Sequence, residues 1–411
     1  MVKTKVVAFV EPSFYGIDFV ERTYRKGCKV IAIGSSIDNP KKYAYENYYH
    51  DFLVADIRNA ESIYNAIKES SYYGQIDALI PATDYASHLT AEVAERLSLK
   101  TISSQAANNA RNKDLARDVY EQHKVPSAKY QKVSSLTAAI QAAKTITYPV
   151  VLKPTNCASS QGVYFIENDK QLEVAFEKLR EFKKTYMDFD VRNEYLIEEY
   201  LIGPEFSVEF FLKDSEVVFS SVTEKLTSDL PYFVEISHTV PTSVESDKID
   251  DMIRVCVQAL RAIGIDNGPS HVELKLTKDG PKIIEVNGRP GGDKISSELL
   301  YTTYGLDIFD ETVNFYLNLP ITETYMQKKA TSIAYLTADR EGVISFVGGE
   351  EEIANDLNIL KYDITVKTGD KVKIPESSDD RLGYVITTGQ NSEEAKHNAI
   401  NLINRIKLQY Q

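Results

Sequence analysis

No apolar run in this 411-residue chain is long: runs such as 6–10 and 150–152 are strand-sized and far too short to span a bilayer. Cysteine is scarce. Cys28, Cys157 and Cys256 lie far apart, with no metal-ligand spacing, and read as free thiols suited to a reducing compartment. Positive charge is also in deficit: 47 Lys and Arg against 60 Asp and Glu give a net charge of −13. That balance repels nucleic acid and anionic membrane surfaces. It leaves a phosphate ligand open, since such a site needs only a few local cations and amides. Internal repeats and low-complexity segments are lacking. The opening MVKTK leads straight into a strand without a signal-peptide layout, so the expected location is the cytoplasm, with neither nucleic acid nor membrane as partner.

What is present is a globular composition, 43% hydrophobic and 26% charged, over a length that suits two or three domains. The first third alternates strands (5–10, 29–33, 52–54, 76–80) with helices (14–26, 60–70), which predicts parallel βαβ units. The loop Glu11-Pro12-Ser13-Phe14-Tyr15-Gly16 sits where such sheets bind ligands, but it is not GxGxxG and supports no dinucleotide site. An ordinary turn and a substrate contact fit it equally. Beyond Ser103 the pattern predicts helices over 108–122, 136–144, 172–184 and 249–263. Strands are expected over 148–154, 195–197 and 205–212, with a hairpin 271–276/282–286 about Lys278-Asp279-Gly280. Short strands should follow Pro320 as far as Gly389, then a terminal helix over 392–411.

The hairpin carries the strongest chemical signal. Glu285 and Asn287 lie two apart, hence on one face of a strand, and pairing across the turn can bring Glu273 beside them. Two carboxylates and an amide oxygen suit Mg²⁺, a hard ion that completes its shell with phosphate oxygens and water. Arg289-Pro290-Gly291-Gly292-Asp293 follows at once, and a cation there suits a transferring phosphoryl group or a substrate carboxylate. Lys153 ends a buried strand, where an unpaired ammonium is costly, so it needs an anion. The small residues after it, including Ser159, Ser160, Gln161, Gly162 and Val163, would let backbone N–H groups close around phosphate. Lys113, taken alone, is a surface lysine on a polar helix. The connector 198–204 can offer backbone to a purine edge and side chains to a ribose; taken alone it is a plain crossover.

In this order, these residues resemble the ATP-grasp superfamily of carboxylate–amine ligases over about 105–320. The resemblance rests on Lys113; Lys153 with 159–163; Glu198-Glu199-Tyr200-Leu201 with Gly203-Pro204-Glu205; then Glu273, Glu285, Asn287 and Arg289. It implies an α/β (α+β) ATP-grasp architecture: a Rossmann-like parallel α/β domain at 1–105, the ATP-grasp domain at 106–320 with a mobile lid at about 115–195, and an α+β segment at 321–411. It implies that Lys113 and Lys153 hold ATP phosphates under the 159–163 loop. Glu198, Glu199, Tyr200 and Leu201 would surround adenine, and Glu205 the ribose. Glu273, Glu285 and Asn287 would carry Mg²⁺, with Mn²⁺ as the alternative, and Arg289 would stabilise an acyl phosphate. One departure is Gln161, where many relatives have a basic residue.

Within the superfamily, 231–241 and 287–293 look like the L-amino acid α-ligases, which make dipeptides in bacterial peptide-antibiotic pathways. By that likeness His238, Arg289, Gly291 and Gly292 line the amino acid site. Glu235 and Asp293 would place negative charge there and favour a basic first residue. The partners expected are small amino acids, and a homodimer is compatible with the reading. Two rivals stand beside it: an ATP-grasp ligase or carboxylase with another substrate, and a non-catalytic ATP-binding module. Gly369-Asp370, Arg381 and Gly383 are expected in turns, with no chemistry attached.

Overall fold

The computed structural model describes residues 4–185 and 187–411. Residues 1–3, part of the stretch that carries the localisation reading, and residue 186, inside the expected lid, lie outside the described residues. Among the described residues no helix is long and apolar enough to cross a membrane. Cys28, Cys157 and Cys256 are buried free thiols.

Four short strands build the parallel N-terminal sheet in the order Asp51–Val54, Lys29–Gly34, Val6–Val10, Ala78–Pro81. Their near-continuous apolar content matches a sheet covered on both faces. The chain then forms a four-stranded antiparallel sheet, ordered Tyr130–Val133, Tyr195–Glu199, Val150–Pro154, Tyr164–Ile166. Helices Leu136–Ile146 and Asp169–Glu181 close a separate small core over it. The largest sheet has eight antiparallel strands, running Gly280–Asn287, Gly268–Thr277, Glu205–Lys213, Glu216–Thr227, Glu235–Val240, Ala330–Leu336, Gly383–Gly389 and Ile359–Ile364. This sheet runs unbroken past residue 320, because Glu235–Val240 pairs with Ala330–Leu336. The N-terminal sheet is tied to it through one apolar cluster holding Phe9, Phe19, Phe211, Ile295 and Phe309.

Three local expectations are corrected. The helix expected at 108–122 is two helices, Ser104–Arg111 and Lys113–Gln122, broken at Asn112, whose φ of −107° and ψ of 108° are extended. Asn112 Nδ2 bonds back to the Asn108 carbonyl and side chain at 3.0 and 2.8 Å, ending the first helix with a polar side chain that periodicity does not register. Glu198 and Glu199 belong to strand Tyr195–Glu199 rather than to a connector. The terminal helix stops at Ile403, and Lys407–Tyr410 forms a strand against Gly342–Gly348.

Candidate active site

One face of the large sheet is polar, and it floors a cleft. Register across the strands sets Asn287, His271 and Glu209 in one row and Glu285, Glu273 and Ser207 in the next; a third row holds Lys275, Glu205, Lys225 and His238. Alternate residues turn the other way. Val286, Val272, Val208 and Val222 are buried there against helix Ser246–Ile263. Strand alternation alone thus separates the chemistry from the core.

A bulge gives the hairpin its function. From the turn, Thr277 pairs with Gly280 and Leu274 with Ile283; then the register shifts, so that Glu273 faces Glu285 and His271 faces Asn287. Without the extra residue, Glu273 would face Ile284 and the acids would lie on opposite faces. Arg117 pins the bulged stretch by donating to the Ile284 carbonyl at 3.0 Å. Among the described residues no group of three or more His, Cys, Asp and Glu forms a ready metal cage. The hairpin instead offers two carboxylates and one amide, a hard, partial donor set that fits an ion completing its shell with phosphate and water.

Each of these groups is matched by charge. Glu285 pairs with Lys113 at 3.0 Å; that lysine opens its helix beside the 155–157 turn and also donates to the Cys157 carbonyl at 2.8 Å. The buried Lys225 ammonium lies 3.0 Å from Glu205, 3.3 Å from Glu235 and 3.5 Å from Glu273. Burial would strip its charge, but Glu273, Glu205 and Glu235 hold it. His271 bridges Glu209 at 2.6 Å and Glu273 at 3.0 Å. Burial lowers its pKa, yet those carboxylates push it up to about 9, so the imidazolium donates to both.

Lys153 has the anion that its burial demands. Glu198 takes Lys153 at 2.6 Å and Arg117 at 2.6 and 3.2 Å, so its carboxylate is shared between two cations at the cleft wall. Glu199, Tyr200 and Leu201 line the cleft beside it with Glu205. Burial, outweighing the pull of Glu198, lowers Lys153 to about 8. The ammonium is therefore present below about pH 8 and lost above it. ATP affinity is then expected to fall by up to about tenfold per pH unit above 8, because phosphate favours the charged form. Lys153→Arg, which stays charged, should flatten the profile. Calorimetric titration of ATP from pH 6.5 to 9.5 checks this, and a flat wild-type curve would refute it.

The phosphate-loop residues lie over this floor. Ser159 and Ser160 have φ of 56° and Gly162 has 74°. Ser159, Ser160, Gln161 and Val163 line the cleft. Gly162 does not, and is needed for packing: a Cβ there would come 2.7 Å from Leu179. Gly291 is likewise behind the wall, where a Cβ would meet Glu209 Oε2 at 2.6 Å, while Gly292 faces the cleft. Arg289 bonds Asp84 at 3.3 Å and lies over the Tyr15 ring. Asp84 follows the carboxyl end of strand Ala78–Pro81, where parallel sheets place ligand loops.

The acids expected to select a basic substrate are compensated within the chain. Asp293 takes two bonds from Arg381, at 2.7 and 2.6 Å, and one from His238 at 3.1 Å. Burial alone would raise its pKa, but Arg381 and His238 hold it well below the usual range. Glu235 is matched by Lys225 and by Ser378 Oγ at 2.5 Å. Neither is a free negative charge. The C-terminal segment therefore supplies the cleft wall: Asp379 meets Gln161 at 3.4 Å and Glu376 meets Tyr232 at 2.7 Å. Sequence reasoning missed Arg381, Lys225, Arg117, Asp84 and His271. Only His271 left a signal, two residues before Glu273 and hence on the same strand face.

Two family models match segments of the chain. Residues 146–298 match the ATP-grasp domain, and residues 334–411 match the L-amino acid ligase C-terminal domain 2. The alanine–anticapsin ligase of Bacillus subtilis (strain 168) is 27% identical over 288 residues, covering 62% of this chain and 60% of that ligase. Carnosine synthase 1 of Gallus gallus is 28% identical over 184 residues, 44% of this chain and 20% of that enzyme. The chain thus spans less than two thirds of the length of these relatives. Among solved structures, an L-amino acid ligase from Bacillus licheniformis shares the fold with a TM-score of 0.83 at 21% identity, over 100% of both chains. A phosphoribosylglycinamide synthetase from Anaerococcus prevotii shares it at 0.73, with 19% identity, also over 100% of both chains.

Proposed function

We propose that this chain, which belongs to the ATP-grasp superfamily of carboxylate–amine ligases, joins two L-amino acids into a dipeptide at the expense of ATP. The observation that carries the reading is the polar sheet face. It brings Glu273, Glu285 and Asn287 into one cleft with Lys113, Lys153, Arg289 and Asp293. A nucleotide lying along it would meet cations at its phosphates and reach Arg289 with its terminal phosphoryl group.

The chemistry balances in two steps. A carboxylate oxygen of the first amino acid attacks the γ-phosphorus, releasing ADP and leaving an acyl phosphate. The amine of the second then attacks the acyl carbon, inorganic phosphate leaves, and the amine gives up a proton. Mg²⁺ held by Glu273, Glu285 and Asn287 would neutralise the phosphate charge. Lys113 and Lys153 bind the phosphates. Arg289 faces the negative charge that develops on the transferring group and the tetrahedral carbon. The 159–163 loop and the 376–381 wall exclude water from the anhydride.

The test is phosphate release with mass spectrometry over all pairs of proteinogenic L-amino acids with Mg-ATP. Dipeptide masses accompanying phosphate establish the reading. Phosphate released only with bicarbonate, a nucleotide or another acid keeps an ATP-grasp ligase but removes the dipeptide assignment. ATP binding with no turnover from any pool makes the chain a nucleotide-binding module.

A further inference from the structure

Both carboxylates of the hairpin already carry an ammonium. Lys113 lies 3.0 Å from Glu285 Oε2, and Lys225 lies 3.5 Å from Glu273 Oε2. A divalent ion and an ammonium cannot both hold the same carboxylate oxygens without repelling each other. Held side by side in a part-buried site, like charges repel, and each weakens the other's hold on the carboxylate. Lys225 is also buried, with 2% side-chain exposure, and cannot swing into solvent when displaced. It needs another anion within reach.

Its surroundings indicate which. Resting on the ligase reading above, Glu205 marks the ribose, Glu273 the metal and Glu235 the amino acid, and Lys225 touches all three. A triphosphate running from ribose to metal to substrate passes this one ammonium. Lys225 sits in the same row as His238 and Glu205, with its side chain in the cleft wall.

We propose that Lys225, together with Lys113, is an exchangeable counter-ion of the metal carboxylates, which hands Glu273 and Glu285 to the metal and takes the nucleotide's phosphates in return. Metal and nucleotide then bind cooperatively. Without nucleotide the lysines compete with the metal; with it they gain phosphate oxygens and the competition ends. By linkage each ligand strengthens the other by the same factor.

A merely structural lysine would not produce the signature this predicts, which is two affinities moving in opposite directions. In Lys225→Met, Mn²⁺ binding without nucleotide, read by electron paramagnetic resonance, should tighten by roughly tenfold, since a competing cation has gone. ATP binding at saturating Mg²⁺, read by calorimetry, should weaken by roughly tenfold through loss of a charge-assisted contact. Lys225→Arg should stay near wild type for Mn²⁺ alone. Three carboxylates around a vacated ammonium threaten the fold, so Lys113→Met, at a helix start, provides the second variant and should show the same opposed pattern. Mn²⁺ affinity that is unchanged or weaker in both folded variants overturns the proposal. If wild type binds neither metal nor Mg-ATP, the failure lies with the ligase reading and not with the exchange.

Discussion

Arg289→Met should lose roughly 10²–10³-fold in turnover while still binding ATP, as expected for removal of a donor aimed at charge that develops in the transition state. The guanidinium is part-buried and its position is set twice: Nε by Asp84 at 3.3 Å, and the plane by the Tyr15 ring at 5.3 Å. Burial would lower its pKa, but Asp84 raises it, so the charge is permanent. Such pre-set placement costs no reorganisation when the phosphoryl group transfers. Removing the arginine also takes one partner from Asp84, which is 13% exposed, and a fully unpaired buried charge would cost about 3–5 kcal/mol of stability. Arg111, 3.5 Å from Asp84, offsets part of that. The double variant Asp84→Asn with Arg289→Met separates the two effects: stability should return and turnover should not. Arg289→Lys, which keeps the charge but loses the planar fork, should fall between. Single-turnover ADP formation and thermal denaturation of the three variants decide it. If turnover recovers in the double variant, Arg289 is structural.

How much of this was open to sequence reasoning depended on the range of the interaction. The N-terminal alternation and the hairpin were legible because period-2 patterning and a Lys-Asp-Gly turn are local signals. Glu285 and Asn287 sharing a face followed from alternation alone. That Glu273 faces Glu285 did not, since it depends on a bulge whose Ile284 carbonyl is held by Arg117, 167 positions away in sequence. The helix break at Asn112 was hidden by a side-chain cap. Arg381 gave no sign of its role: an arginine in a polar turn looks alike whether solvated or, as here, paired with Asp293 across 88 residues of chain. Charge compensation was the least legible property. The acidic residues near the substrate side could be counted, but their partners come from strands and turns that only the fold assembles.

Glu285→Gln should lower turnover on the order of 10³-fold, because it removes one of the two carboxylates available to the metal, whose charge neutralisation supplies several kcal/mol to phosphoryl transfer. The fold should lose little, for two opposing reasons of similar size. Glu285 and Glu273 face each other directly across the hairpin, and like charges so placed destabilise a sheet by a few tenths to about 1 kcal/mol, which the amide relieves. The substitution also removes the Lys113 pair, whose partners retain 12% and 20% side-chain exposure. The pair is partly screened, so its loss should cost no more than about 1 kcal/mol. The two nearly cancel, and a thermal midpoint within a few degrees of wild type is expected without ligands. With saturating Mg-ATP the difference should open, since wild type gains stability from ligand that the variant binds weakly. The diagnostic is therefore a divergence: similar midpoints alone, separated midpoints with Mg-ATP, and turnover partly restored by raising Mn²⁺. A large loss of stability without ligand would make Glu285 a structural residue of the hairpin. Full turnover with normal stability would remove the metal assignment from it, leaving Glu273 and Asn287 without a third ligand on that face.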